Sequence, residues 1–270
     1  MIKLQPRLWV GVGLSVLAGG AALADTAQWH QDGAIAMQVA QAAEGGEGGE
    51  GGEGGEGGIS AADAAKDPVA FIAALDVTAA HYHAGLAAYK ADKHQAAGEM
   101  FAHPISEIYV DLEPVFTAQG AKPFQDEMSK ASELALGNAP AAEVEKAAKA
   151  VLTALDATAA KAPKSSDSAK AVQAKLLAGM IERAARQYRS ASASTEFEPY
   201  LDGYGFAITA KVRSEALVKA GVPLPADVTA AIDLLLKAYP TALRPATLPV
   251  ALDALSGQTA KAQLALARVR

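Results

Sequence analysis

Apolar residues recur along this chain at intervals of three and four, the spacing of one helical face, and no stretch keeps the alternation of a half-buried strand. The clearest run follows Asp67 and Pro68, an N-cap residue and a first-turn proline. From there Ile72, Leu75, Ala79, Tyr82, Leu86 and Tyr89 continue one seam to about Ala91, which predicts a core-facing helix. Punctuation places the others, because proline favours the first turn of a helix and glycine its end. Asp92 opens a short helix to Ala102. Pro104 opens another that stops at Gly120, with a kink or break expected at Pro114. Pro123 opens a helix closed by Gly137 and Asn138, and Pro140 one that runs to Lys161. Residues 162–168, with Pro163 and three serines, form the best internal boundary. Beyond it, helices are expected over Ser168 to Arg189, Thr195 to Ala220 and Pro225 to Tyr239, with a last one after Pro249. The fold class is therefore all-α, an antiparallel helical bundle with two packed halves: a histidine-containing half at 59–161 and a second at 168–270. Alanine fills about a quarter of this body, which favours helices that approach closely.

The first 58 residues follow other rules. Lys3 and Arg7 precede an apolar run from Leu8 to Ala24 that closes on Ala22-Leu23-Ala24, the pattern of a secretory signal peptide cut before Asp25. Gly11, Gly13, Gly19 and Gly20 dilute the run below what a permanent membrane anchor needs. No later segment reads as a bilayer span, so the mature chain is expected to be soluble and periplasmic or secreted. Residues 25–43 form a short segment, and residues 44–58 are five Glu-Gly-Gly units. Such a repeat has no apolar residue to bury and carries the entropy of glycine, so it is expected to be a disordered tether. Charge then changes its meaning. Residues 1–58 hold two cations against seven acids, so they carry −5 of the net −6 and leave the body nearly neutral. Nucleic acid, which requires a basic footprint, is excluded as a partner.

The chain has no cysteine, which removes disulfides, thiolate metal sites and a cysteine nucleophile. It also lacks a Gly-x-Ser-x-Gly elbow, a phosphate loop, a dinucleotide fingerprint and a zincin motif, so no enzymatic reading is favoured. One constellation remains. Four of the five histidines, His81, His83, His94 and His103, lie within 23 residues, and Glu107, Asp111 and Glu113 follow. With the seam as the core direction, His83 lies near its edge and His81 points well away. His103, just before Pro104, is expected at the N-cap of the next helix, with Glu107 and Asp111 four and eight residues on along one face. Imidazole and carboxylate between bundle helices is a donor set for iron, copper or zinc. The expected metal ligands are His83, His103 and Glu107, with His81 and Asp111 second; Met100 is read as core. The same residues also fit solvated faces and ordinary core histidines, in an interaction or scaffold bundle with no ligand.

Residues 183–210, reading RAARQYRSASASTEFEPYLDGYGFAITA, add a resemblance. Tyr188, then Tyr200, Asp202 and Phe206 after a short polar turn, resemble a segment of the extracytoplasmic helical region of bacterial oxidase-dependent-type iron permeases. Pro199 stands at that pattern's Glu position, with Glu198 displaced by one. The histidine-rich half is more loosely similar to imelysin-like periplasmic iron-uptake proteins, although three residues rather than two separate His103 from Glu107. The resemblance implies an accessory role in handling iron or another metal outside the cytoplasm, with a metal-transport protein as partner.

Overall fold

A computed structural model describes residues 58–270, which lie within one compact unit, Glu50–Arg270. The expected signal peptide, the segment 25–43 and all but the last residue of the tether lie outside the described residues. The unit is an all-α bundle, with no strand among the described residues. A single turn, α1 (Ala61–Ala64), precedes α2 (Pro68–Lys90) and α3 (His94–Pro104). A π turn (Ile105–Tyr109) leads directly into α4 (Val110–Ala118), and α5 (Gln125–Leu136) and α6 (Ala141–Ala159) follow. The second half holds α7 (Ala169–Ala193), α8 (Glu198–Lys219), α9 (Ala226–Ala238) and α10 (Leu252–Leu266).

Local chemistry accounts for most of these ends. The Asp67 carboxylate accepts the Val69 N–H at 2.9 Å and starts α2, and the Ser168 hydroxyl accepts the Ala171 N–H at 3.1 Å and starts α7. Gly120 and Gly221 take left-handed φ values of 83° and 82° just past α4 and α8, where a side chain would be strained.

Helix α2 is the centre of the bundle. It packs against α3 and α6 on one side and against α7 and α8 on the other. Tyr82 is fully buried towards the first group, its hydroxyl 3.4 Å from the carbonyls of Phe101 and Met128, and Tyr89 donates to the Ala139 carbonyl. The opposite side meets α8 at close range. A Cβ on Gly205 would lie 2.2 Å from the Ala80 carbonyl oxygen, so only glycine permits this approach. Nearby, Arg213 of α8 donates to Asp76 of α2 through Nε at 2.7 Å and through a second guanidinium nitrogen. Burial raises the Asp76 carboxyl pKa, while Arg213 opposes that shift. Because α2 is buried nearly all round, it is also long and apolar enough to cross a bilayer by length and composition, with 67% of its apolar window inside the bundle. The expectation that no later segment reads as a bilayer span therefore does not hold by length and composition.

The expected break at Pro104 is absent. Residues 94–118 form one continuous helical run, and His103 lies in the last turn of α3 rather than at a cap. Pro104 has no N–H to give, and the hydrogen-bond ladder changes register around it: the Ile105 N–H bonds Ala102, and the Val110 N–H bonds Ile105 five residues back. The Ser106 hydroxyl covers the His103 carbonyl at 3.3 Å. Pro114 likewise lies inside α4 without ending it. Asp92 does not start α3; it takes φ 59° in the turn before it.

The α2–α8 approach makes a direct prediction. Gly205→Ala should lower unfolding stability by about 2 kcal/mol or more, since backbone rather than a mobile side chain blocks the added methyl. Gly179→Ala, within α7 with nothing near its added carbon, should raise stability by up to about 1 kcal/mol. Urea denaturation of both variants checks the contrast.

Candidate metal centre

The two sides of α2 separate the histidines that the sequence had grouped. His81 and His83 are two residues apart, about 200° around the helix. His81 is 7% exposed and turns towards α7 and α8, whereas half-buried His83 faces α6, where Asp156 opposes the effect of burial on its imidazole. His81 rather than the expected first ligand His83 therefore turns to the side of His103 and Glu107. A single seam cannot assign inward and outward on a helix buried on both sides.

The His81 ring is oriented by its own helix. Its Nδ1–H donates to the Val77 carbonyl at 2.9 Å, which fixes the tautomer and leaves the Nε2 lone pair directed away. Nε2 lies 3.9 Å from Asp202 Oδ1 on α8, beyond hydrogen-bond reach. Burial holds the imidazole down to about pKa 4, with the Val77 bond opposing and His103 and Arg183 reinforcing the shift. His81 is therefore a neutral nitrogen donor at neutral pH.

His103 and Glu107 come from the re-registered stretch. A π turn holds about 4.4 residues, so side chains four apart stand nearly above one another. His103 reaches the His81 ring edge to face at 6.3 Å between centroids, and its Nδ1 lies 3.6 Å from Glu198 Oε1. One donor atom from each of His81, His103 and Glu107 falls within 4.8 Å of the others. Three equidistant donors at 2.0–2.2 Å from one ion lie about 3.7 Å apart, so shifts of up to about 1 Å would let all three meet a metal. His103 and Glu107 are each partly exposed. Asp111 does not join them. It lies eight residues, or about 12 Å of helix rise, beyond His103 and is exposed. His94 is also elsewhere, stacked on Tyr89 with Nδ1 2.5 Å from Asn138 Oδ1, and Met100 is buried in the core as expected.

His81 and Glu107 line a cleft of about 420 Å3 between α2, the π turn, α7 and α8, with His103 beside His81. Its other walls include Arg183, Arg186, Gln187 and Ser190 of α7, and Glu198 and Asp202 of α8, none of them an expected ligand. Arg183 also lies 6.0 Å over the Phe206 ring, and burial, then Arg186, lower its pKa. The signal for the α7 wall was readable as a polar row at three-four-seven spacing, but only the fold shows what it faces. No family model matches the chain, and no curated protein or solved structure matches it.

The depressed His81 pKa has a consequence for the metal-free protein. Between pH 6.5 and about 4 the unfolded state binds a proton that folded His81 refuses, so stability present at neutral pH is lost as pH falls through that window, by about 3 kcal/mol at its lower end. Denaturation midpoints measured across this range should fall steeply for the parent chain and less steeply for His81→Gln.

Proposed function

We propose that this protein is an exported, non-enzymatic helical bundle that binds a transition metal, iron or copper, at His81, His103 and Glu107, as an accessory to a metal-transport protein. One observation carries the reading: three donors of metal-ligating type, drawn from two separate helical runs, converge beside a cleft that two of them line, and the most buried of them has its Nε2 lone pair unprotonated. Two imidazoles and one carboxylate suit iron and copper, and this set with open positions is typical of Fe(II) centres. The Val77 carbonyl behind His81 is the kind of outer partner that orients a ligating imidazole. Asp202 and Glu198, beside the two imidazoles, add negative charge that favours a cation. Export rests on the N-terminal sequence pattern, and the link to iron uptake on the resemblance of residues 183–210, a segment that contributes the α7 and α8 walls of the same cleft.

Equilibrium dialysis of the full chain against Fe(II) or Cu(II), followed by elemental analysis, should find one metal per chain. His81→Gln and His103→Ala should each weaken retention at least tenfold, while His83→Ala and Asp111→Ala should leave it unchanged. Equal retention in all four variants would overturn the site assignment, and no retained metal in the parent chain would instead support a scaffold bundle without a ligand.

A further inference from the structure

The cleft is larger and more cationic on one wall than a bare ion needs. Three protein donors leave about three positions open on a six-coordinate metal, and three waters would occupy only about 90 Å3 at 30 Å3 each. The cleft, at about 420 Å3, lies within the roughly 300–1,000 Å3 range of small-molecule sites. Across from the triad, Arg183, Arg186, Gln187 and Ser190 follow one another at spacings of three, one and three residues along a single face of α7. Every member of that row can donate hydrogen bonds, and none is acidic. Burial and then Arg186 lower the Arg183 pKa, and Glu182, ion-paired with Arg186, opposes them. Glu107, Glu182, Glu198 and Asp202 outnumber the two arginines by two, so a trivalent metal would leave this region at +1, a charge that an anionic chelator offsets.

We infer that the cleft takes its metal as a complex with a small polycarboxylate, the triad binding the metal and the α7 row holding the chelator's remaining carboxylates. This rests on the metal-binding reading above and specifies its cargo. A polycarboxylate fits better than a single carboxylate because one group must remain on the metal while another meets a guanidinium fork, which pairs with carboxylate through two parallel hydrogen bonds. Arg186, with 62% of its side chain exposed and paired only with Glu182 of its own helix at 3.1 Å, can swing onto such a group at little cost to the fold.

The test uses the full chain and two preparations: iron(III) citrate carrying labels on both iron and citrate, and iron(II) in citrate-free buffer without oxygen. From the first, citrate should remain with the protein mole for mole with iron. Arg186→Gln, and the double variant with Arg183→Gln, should lower the ratio of citrate to iron at least tenfold, while the exposed Arg268→Gln keeps it at one. Iron retained from the first preparation without citrate would overturn the inference and leave the metal site standing, which iron retained from the second preparation checks by itself. Citrate retained equally by His81→Gln, without iron, would also overturn it. No iron from either preparation would bring down the metal-binding reading and this inference together.

Discussion

The close approach of α2 and α8 is the constraint on which the rest of the molecule depends. Gly205 lies so near the Ala80 carbonyl that no side chain fits between them, and the paired Asp76 and Arg213 fasten the same two helices nearby. An ion pair with this little exposure gains less from attraction than it would lose if either partner were removed, because the survivor would stay buried and uncompensated. It therefore acts mainly to specify which helices meet. With that contact set, α2 is enclosed on both sides, and the far face of α8 is left to seat Tyr239, whose hydroxyl bonds the Ala184 carbonyl over Gly203.

The cleft exists because this packing is locally interrupted. Around His81, α2 presents an imidazole rather than an alanine or glycine, and the facing stretch of the α3–α4 run is a π turn. Pro104 is the reason for that turn: it removes one N–H from the ladder, and the change of register absorbs the defect without ending the helix. His103 and Glu107, four residues apart, keep to one side of the run through this change. A defect in the hydrogen-bond ladder and a cluster of donor side chains thus occur at the same place, a coincidence common where π turns serve a site.

Burial gives the three donors different characters. His81 is neutral and oriented, whereas His103 and Glu107 are partly exposed. In the metal-binding reading, the buried donor would define the position of the ion. Opposing the carboxylates across the cleft, the α7 row supplies the positive side of a site that is polar on every wall but Val77, Ile108, Pro199 and Phe206.

Much of the fold was legible in the linear pattern. Helix ends at Asp67, Gly120, Gly137, Ser168 and Gly221 were readable because caps and left-handed turns depend on a few adjacent residues. The donor types were legible too, since the absence of cysteine leaves only nitrogen and oxygen. Pro104 misled because a proline at a helix start and one absorbed by a π turn look alike in sequence, and only the neighbouring ladder distinguishes them. His81 and His83 exchanged roles because the face a residue presents has meaning only relative to a neighbour, and α2 has neighbours on both sides. Asp202, Glu198 and Arg183 entered the site through contacts spanning roughly a hundred residues of chain. Local chemistry alone determined most of the helices and the kinds of donor they carry; tertiary packing decided which donors face one another, because the packing of α2 against α7 and α8 brings the two halves of the chain to one cleft.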